Sequence, residues 1–274
     1  MTERRPLRRR ANKSVPGKRA VKKELARVLS KLGVASRTVA AEWIKAGRVK
    51  VNGRVVWDPA TPIDGDPAAI EVDDRRVEAQ QRVYYALNKP RGLITSASDE
   101  HGRATVFQCF DPPPPCPIFP VGRLDKASEG LLLFTNDTTW ANVLTAPDCH
   151  VEKRYHVQVN PLPDAEALGR LRAGVRDDNE IELKAKRVEL LRAGEKNGWL
   201  EITLTEGRNR HIRRMLDLCG FKVLRLIRVA IGPLELGDLA KGKVRELSRR
   251  EVNALATVGA NHCGSGSFRD SNQR

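Results

Sequence analysis

Long apolar runs are missing from this 274-residue chain: none approaches the ~20 residues that span a bilayer. Even the stretch 223–231 is broken by Arg225 and Arg228, so no membrane partner is expected. The start is poor in apolar residues and rich in basic ones, unlike a secretory signal, which predicts a cytoplasmic protein. Cysteine is sparse and odd in number, the five being Cys109, Cys116, Cys149, Cys219 and Cys263. With no CxxC pair and no histidines at ligand spacing, they predict free thiols, no disulfide framework and no metal site. Cys109 and Cys116 flank a proline run at 112–115, which reads as a stiff loop. Acids are short as well: 34 Asp and Glu face 49 Lys and Arg, leaving a formal charge of +15. Such a field attracts a polyanion and repels another cation.

The length suits one medium domain, a small module and some tail. Residues 1–23 hold ten Lys or Arg against one acid, Glu3, and almost no large apolar side chain. They are expected to form a disordered basic arm. Leu25, Val28, Leu29 and Leu32 then mark one face of a helix ending at Gly33. Ser36 offers an N-cap to a second helix that closes at Gly47. Val49 and Val51 alternate into an Asn52-Gly53 hairpin turn, and Ile70 and Val72 mark another strand, completing a module over 24–73. Polar residues 74–82 read as a linker and 83–257 as the larger domain. There, strands are expected near 83–87, 131–135, 155–159, 181–190, 200–204 and 222–231, with helices near 164–173, 209–219 and 248–256. The pattern argues α+β with a mainly antiparallel sheet, and 258–274 reads as a flexible tail.

Two segments are dense in chemistry. Residues 121–130 hold Arg123, Asp125, Lys126 and Ser128 between Gly122 and Gly130, just before an apolar strand. A loop acid held there and kept ionised by positive neighbours suits a nucleophile or a base; taken alone, it equally suits a surface ion pair. Residues 206–215 carry Arg208, Arg210, Arg213 and Arg214 in a strand-to-helix turn, a pattern that forks onto phosphates or simply makes a basic helix face. The acids at 64–66 and at Asp73 and Asp74 sit in turns of the small module, not in a nuclease-like cluster. No dimeric recognition helix of a DNA regulator is evident.

Together these segments resemble the bacterial ribosomal RNA pseudouridine synthase family typified by the small-subunit enzyme. Residues 122–132 match its signature G-R-L-D-x-x-[ST]-E-G-L-L throughout, and 206–215 match E-G-R-N-R-Q-I-R-R-M except that His211 stands where Gln is usual. The likeness continues through Lys153 to Tyr155 and over 226–233, covers about 24–256, and makes 24–73 similar to an S4-type, or alpha-L, RNA-binding module. It implies that Asp125 is the catalytic carboxylate, that Arg213 pairs with it, that Tyr155 stacks on the target base and relays a proton, and that Leu226 is a buttress. Arg123 would sit at the RNA-facing lip. Further RNA contacts are implied for Lys126, Lys153, Arg208, Asn209, Arg210, His211 and Arg214, and for Arg37, Arg48 and Lys50 of the module. His211 keeps donor and acceptor capacity but can also charge near neutrality. No metal or organic cofactor is implied. The partner is ribosomal RNA or a pre-ribosomal particle, bound by a monomer, with the large subunit preferred on the look of 99–105. The rival reading is a non-catalytic RNA-binding assembly factor with the same module.

Overall fold

The structure, a computed structural model, describes residues 23–63, 70–96 and 102–262, with side chains to 260. The basic arm up to residue 22, the acidic turn at 64–66, residues 99–101, Cys263 and the rest of the tail lie outside the described residues. Among those described, no helix is long and apolar enough to cross a membrane.

The small module comprises β1 (Lys23–Glu24), α1 (Leu25–Lys31), α2 (Arg37–Lys45), β2 (Val49–Val51), β3 (Arg54–Val55), β4 (Pro62–Ile63), β5 (Ile70–Val72) and β6 (Arg75–Arg76). Helix α2 begins where expected, because the Ser36 hydroxyl accepts the Val39 N–H at 3.2 Å. Leu25, Val28, Leu29, Ala40 and Ile44 bury the facing sides of the two helices against Val49 and Ile70. The sheet runs β3-β2-β5-β6, and β1 pairs with β4, so Lys23 belongs to the module and not to the arm. Residues 75–76 pair with β5, and Val77 donates to the Ile70 carbonyl at 2.9 Å. The expected linker at 74–82 is therefore corrected: Asp73 and Asp74 form a β-turn, and the module closes at Val77.

The larger domain contains β7 (Tyr84–Lys89), β8 (Phe119–Val121), β9 (Glu129–Thr135), α3 (Thr138–Thr145), β10 (Lys153–Asn160), α4 (Ala165–Ala173), β11 (Val175–Arg176), β12 (Glu182–Leu183), β13 (Arg187–Ala193), β14 (Gly198–Leu204), α5 (His211–Leu218), β15 (Lys222–Ile231), β16 (Leu234–Glu235), β17 (Val244–Glu246) and α6 (Arg249–His262). Its nine-stranded sheet runs β13-β14-β10-β15-β9-β7-β17, with β16 added to β15 and β8 to β9. Every pairing in it is antiparallel except β9 with β15. The fold class is α+β, as the strand and helix pattern predicts.

Strand β9 is buried along its whole length because both its faces are covered. Leu131 and Leu133 pack with Trp140 and Leu144 of α3, while Leu132 and Phe134 pack with Leu87, Val106 and Leu124 on the other face. Helix α3 has no sequence forecast, its run of threonines being a poor helix former. Asp137 starts it by accepting the N–H groups of Thr139 and Trp140 at 2.9 and 3.1 Å. The strand expected over 181–190 is broken into β12, which pairs with β11, and β13 in the main sheet.

Helix α6 runs on to His262, so a flexible tail does not begin at 258. Gly259 makes this possible: a Cβ there would lie 2.0 Å from the Val143 side chain, so only glycine lets α6 seat on α3. Cys109, Cys116 and Cys219 are free thiols, whereas Cys149 is disulfide-bonded, correcting the expectation at that position.

Gly130 is the tightest point of the sheet. It has φ +101°, and a Cβ there would meet the Arg228 carbonyl oxygen at 2.2 Å. Gly130→Ala should force β9 and β15 apart and lower unfolding stability by about 3 kcal/mol or more, measured by urea titration. An unchanged midpoint would mean that the parallel pair is not tightly seated.

Candidate active site

The loop between β8 and β9 has no sheet or helix of its own, so its carbonyls need other donors. Buried Lys89, at the end of β7, supplies them: its Nζ donates to the carbonyls of Ser128 at 2.8 Å, Pro90 at 3.1 Å and Asp125 at 3.2 Å. The Thr95 hydroxyl donates to the Leu124 carbonyl at 2.8 Å and accepts the Leu124 N–H at 3.3 Å. The Gly92 N–H reaches the Lys126 carbonyl at 2.8 Å, and Ser128 closes a turn onto the Asp125 carbonyl at 2.9 Å. The Asp125 backbone is thereby fixed while the residue stays exposed. Burial pulls the Lys89 pKa down to about 8.

Asp125 opens on a cavity of about 560 Å³, within the size range of ligand pockets. One wall is the turn from β14 into α5, bringing Glu206, Arg208, Asn209, Arg210, His211 and Arg213 to the cavity. Another is the face shared by β10 and β15. Lys153 and Tyr155 lie two residues apart on one side of β10, Tyr155 stands opposite Arg228, and Leu226 is opposite Val157. Arg123 lines the same space.

The structure thus gathers Asp125, Arg123, Lys153, Tyr155, Arg208, Asn209, Arg210, His211, Arg213 and Leu226 around one cavity. It does not bring the others there. Lys126 is exposed outside the lining. Arg214 lies outside the lining and is ion-paired with Asp177. In the module, Arg37 is exposed at the start of α2. Arg48 donates to Asp73 at 2.8 Å and stacks over Trp43 at 5.2 Å, and Lys50 is paired with Asp74. These last two cations carry partners supplied by the β5–β6 turn.

Two expectations change in detail. Arg213 forms no ion pair with Asp125 among the described contacts; its guanidinium donates to the Ala127 carbonyl at 3.2 Å and feels Asp125 through space. Burial lowers the Arg213 pKa, with the Asp125 charge opposing it. His211 is 3 % exposed, both its ring nitrogens lack hydrogen-bond partners, and Nδ1 stands 3.7 Å from Glu206. Burial lowers its pKa below the ordinary 6.5, so it is neutral at pH 7 and does not charge there.

Lys89, Thr95, Glu129 and Arg228 escaped the sequence reading. Glu129 is buried between Arg225 at 3.0 Å and Lys241 at 2.6 Å. Burial raises its pKa, but the two cations more than offset that and hold it below the usual range. The available signal for Lys89 is a lysine ending an apolar strand just ahead of Pro90 and Gly92. Among the described residues, no three His, Cys, Asp or Glu side chains gather as a metal site.

Comparison with known proteins fits this geometry. Residues 83–218 match the family described as RNA pseudouridylate synthase, and residues 25–66 match the S4 domain. The chain is 40 % identical over 236 residues to the ribosomal large subunit pseudouridine synthase B of Bacillus subtilis, covering 85 % of this chain and 96 % of that one. It is 40 % identical to an RNA pseudouridine synthase of Aquifex aeolicus over 83 % of this chain and 91 % of that one. A crystal structure of a pseudouridylate synthase superposes with a TM-score of 0.61 at 28 % identity, covering 85 % of this chain and 99 % of that one.

Two lysines give opposite stability predictions. Lys89→Met leaves buried carbonyls without a donor and should cost about 1–3 kcal/mol of stability. Among the described contacts the Lys153 ammonium has no side-chain hydrogen bond or ion pair to compensate it, and burial and the Arg228 charge pull its pKa from 10.5 to about 8. Between those values the unfolded chain binds more protons than the folded one, so the Lys153 contribution makes stability rise with pH. Lys153→Met should therefore be more stable than the natural chain at pH 7, by about 1–3 kcal/mol. That gain should shrink from pH 8 to 10.5 in paired urea titrations. A gap independent of pH would refute the burial of a charged Lys153.

Proposed function

The chain belongs to the RNA pseudouridylate synthase family, and we propose that it converts a uridine of ribosomal RNA to pseudouridine, with Asp125 as the essential carboxylate. The observation that carries the reading is the exposed Asp125 at the cavity that also holds Tyr155, Arg213 and Leu226. The large subunit is the preferred target, supported by the name and nearly full-length match of the Bacillus subtilis relative.

The reaction breaks the N1 glycosidic bond, turns the freed uracil and joins C1′ to C5. The proton leaving C5 is balanced by one gained at N1, so no redox equivalent or group donor is consumed. The enzyme must draw the nucleotide from its stack, at a cost of a few kcal/mol, and keep the loose base from escaping. The cavity supplies apolar surface from Leu226 and an aromatic face from Tyr155, whose hydroxyl is suited to relay the proton. The Asp125 carboxylate can attack C1′, remove the C2′ proton to leave a glycal, or add to C6 of the base. Each route needs the carboxylate free to reach the nucleotide, and its exposure at the cavity beside the half-buried Arg213 guanidinium allows that. Arg123, Arg208 and Arg210 make the cavity wall positive for the RNA backbone, and the S4 domain adds a second RNA-binding surface.

Asp125→Asn is close to isosteric and should abolish conversion while leaving RNA affinity nearly intact. The measurement is single-turnover conversion of undermodified rRNA at saturating enzyme, with binding assayed in parallel. Conversion near the natural rate would sink the assignment. Arg213→Lys keeps the charge but loses the planar fork, so turnover should fall at least tenfold while affinity changes little. Equal losses in both would make Arg213 a binding residue only.

A further inference from the structure

We propose that Lys153 and Arg228 form a phosphate subsite inside the cavity, receiving a backbone phosphodiester of the substrate strand beside the flipped nucleotide. The inference rests on the RNA reading above and assigns a new role to Arg228. Arg228 is 5 % exposed and lines the cavity. Its Nε donates to the Leu131 carbonyl at 2.7 Å, but its Nη2 is buried with no partner. A guanidinium fork with one arm tied to backbone and the other empty is prepared for an acceptor from outside the chain.

Lys153 is the second half of the subsite. Between Lys153 opposite Ile231 and Tyr155 opposite Arg228 the register slips, so β15 spends an extra residue there. A bulge of this kind bends a strand and re-aims its side chains. Both cations line the same cavity, and the charge of Arg228 is felt at Lys153.

Neighbouring acids do not supply a counter-charge. Glu152 is paired with Lys186 and Glu235 with Arg154, while Glu206 is held by Arg208 at 2.8 Å. Two adjacent cations, largely withdrawn from water and without an acid, are unfavourable in the free protein and favourable around an anion. The anion is identified by where the subsite opens. It shares its cavity with Asp125, Arg123 and Arg210, so whatever presents a nucleoside to Asp125 brings its own phosphates along the same wall. A neutral base alone would leave the two charges uncompensated.

The test follows the Lys153 amine in the full-length chain, reductively methylated with carbon-13 and observed by NMR. Its signal is assigned by its loss in Lys153→Met. Two probes are added in turn: inorganic phosphate, and a large-subunit rRNA fragment selected for binding, the latter to the full-length Asp125→Asn chain so that no turnover occurs. The Lys153 midpoint should rise by one unit or more with the RNA, and Arg228→Gln should remove most of the rise. Should Arg228→Gln fail to fold, the titration of the chain with Arg228 intact still decides. A rise with phosphate but not with RNA would overturn the backbone assignment in favour of a free phosphoester. An unchanged or lowered midpoint with both would overturn the subsite, since a neutral base covering Lys153 lowers it. Conversion of the same fragment by the natural chain is scored separately. Conversion without a rise sinks only the subsite, and a rise without conversion sinks only the synthase reading.

Discussion

The buried Lys89 ammonium is the contact on which the site depends. The β8–β9 loop exposes its acid, which leaves its backbone outside any ladder, yet it adjoins the fully buried strand β9, and its carbonyls need partners from the protein. One ammonium with three donors resolves this by binding Pro90, Asp125 and Ser128 together. Lys89 stands opposite Gly130 in the β7–β9 ladder, and Gly130 stands opposite Arg228 in the β9–β15 ladder. The clamp, the tightest backbone approach and the cavity arginine thus lie in one row across the sheet.

Charge is distributed with the same economy. Several cations outside the cavity have acids beside them: Arg48 with Asp73, Lys50 with Asp74, Arg225 and Lys241 with Glu129, Arg245 with Glu251 at 2.7 Å. Around the cavity Arg123, Lys153, Arg210, Arg213 and Arg228 have no ion pair within 4.0 Å among the described contacts. These five cations gather at one cavity, whose low-dielectric walls strengthen their field.

How legible this was in the sequence varied with the range of the interaction. Strand β15 and the Ser36 cap of α2 rest on local periodicity and capping chemistry, and both are found at the expected residues. Helix α3 was invisible because its propensity is poor and its stability comes from burying Trp140 and Leu144 against distant strands. Helix α6 runs past its expected end at 256 because Gly259 fits under Val143 on α3, a long-range contact that local pattern does not show. Sequence motifs single out Asp125 and Arg213, and both line the cavity; that Lys153 and Arg228 also face it could not be read from any motif. Their juxtaposition is created by a slip in strand register, which no spacing in one segment reveals.

The cavity is also where the fold leaves its polar groups unsatisfied. Among the described residues, five buried side-chain atoms lack a hydrogen-bond partner: both nitrogens of His211, Arg228 Nη2, Arg154 Nε and Asp177 Oδ2. The last two lie outside the cavity lining with opposite charges beside them, Glu201 at 3.8 Å and Arg214, and His211 Nδ1 has the Glu206 carboxylate at 3.7 Å. The other three line the cavity. Buried polar groups are paired almost everywhere in folded proteins, so a local concentration of orphans marks a place held open for a ligand. The His211 substitution is consistent with this. A neutral imidazole offers one donor and one acceptor, as the usual Gln amide does in kind, and burial keeps it neutral. The position therefore retains hydrogen-bonding capacity without adding a further charge to a wall already crowded with cations.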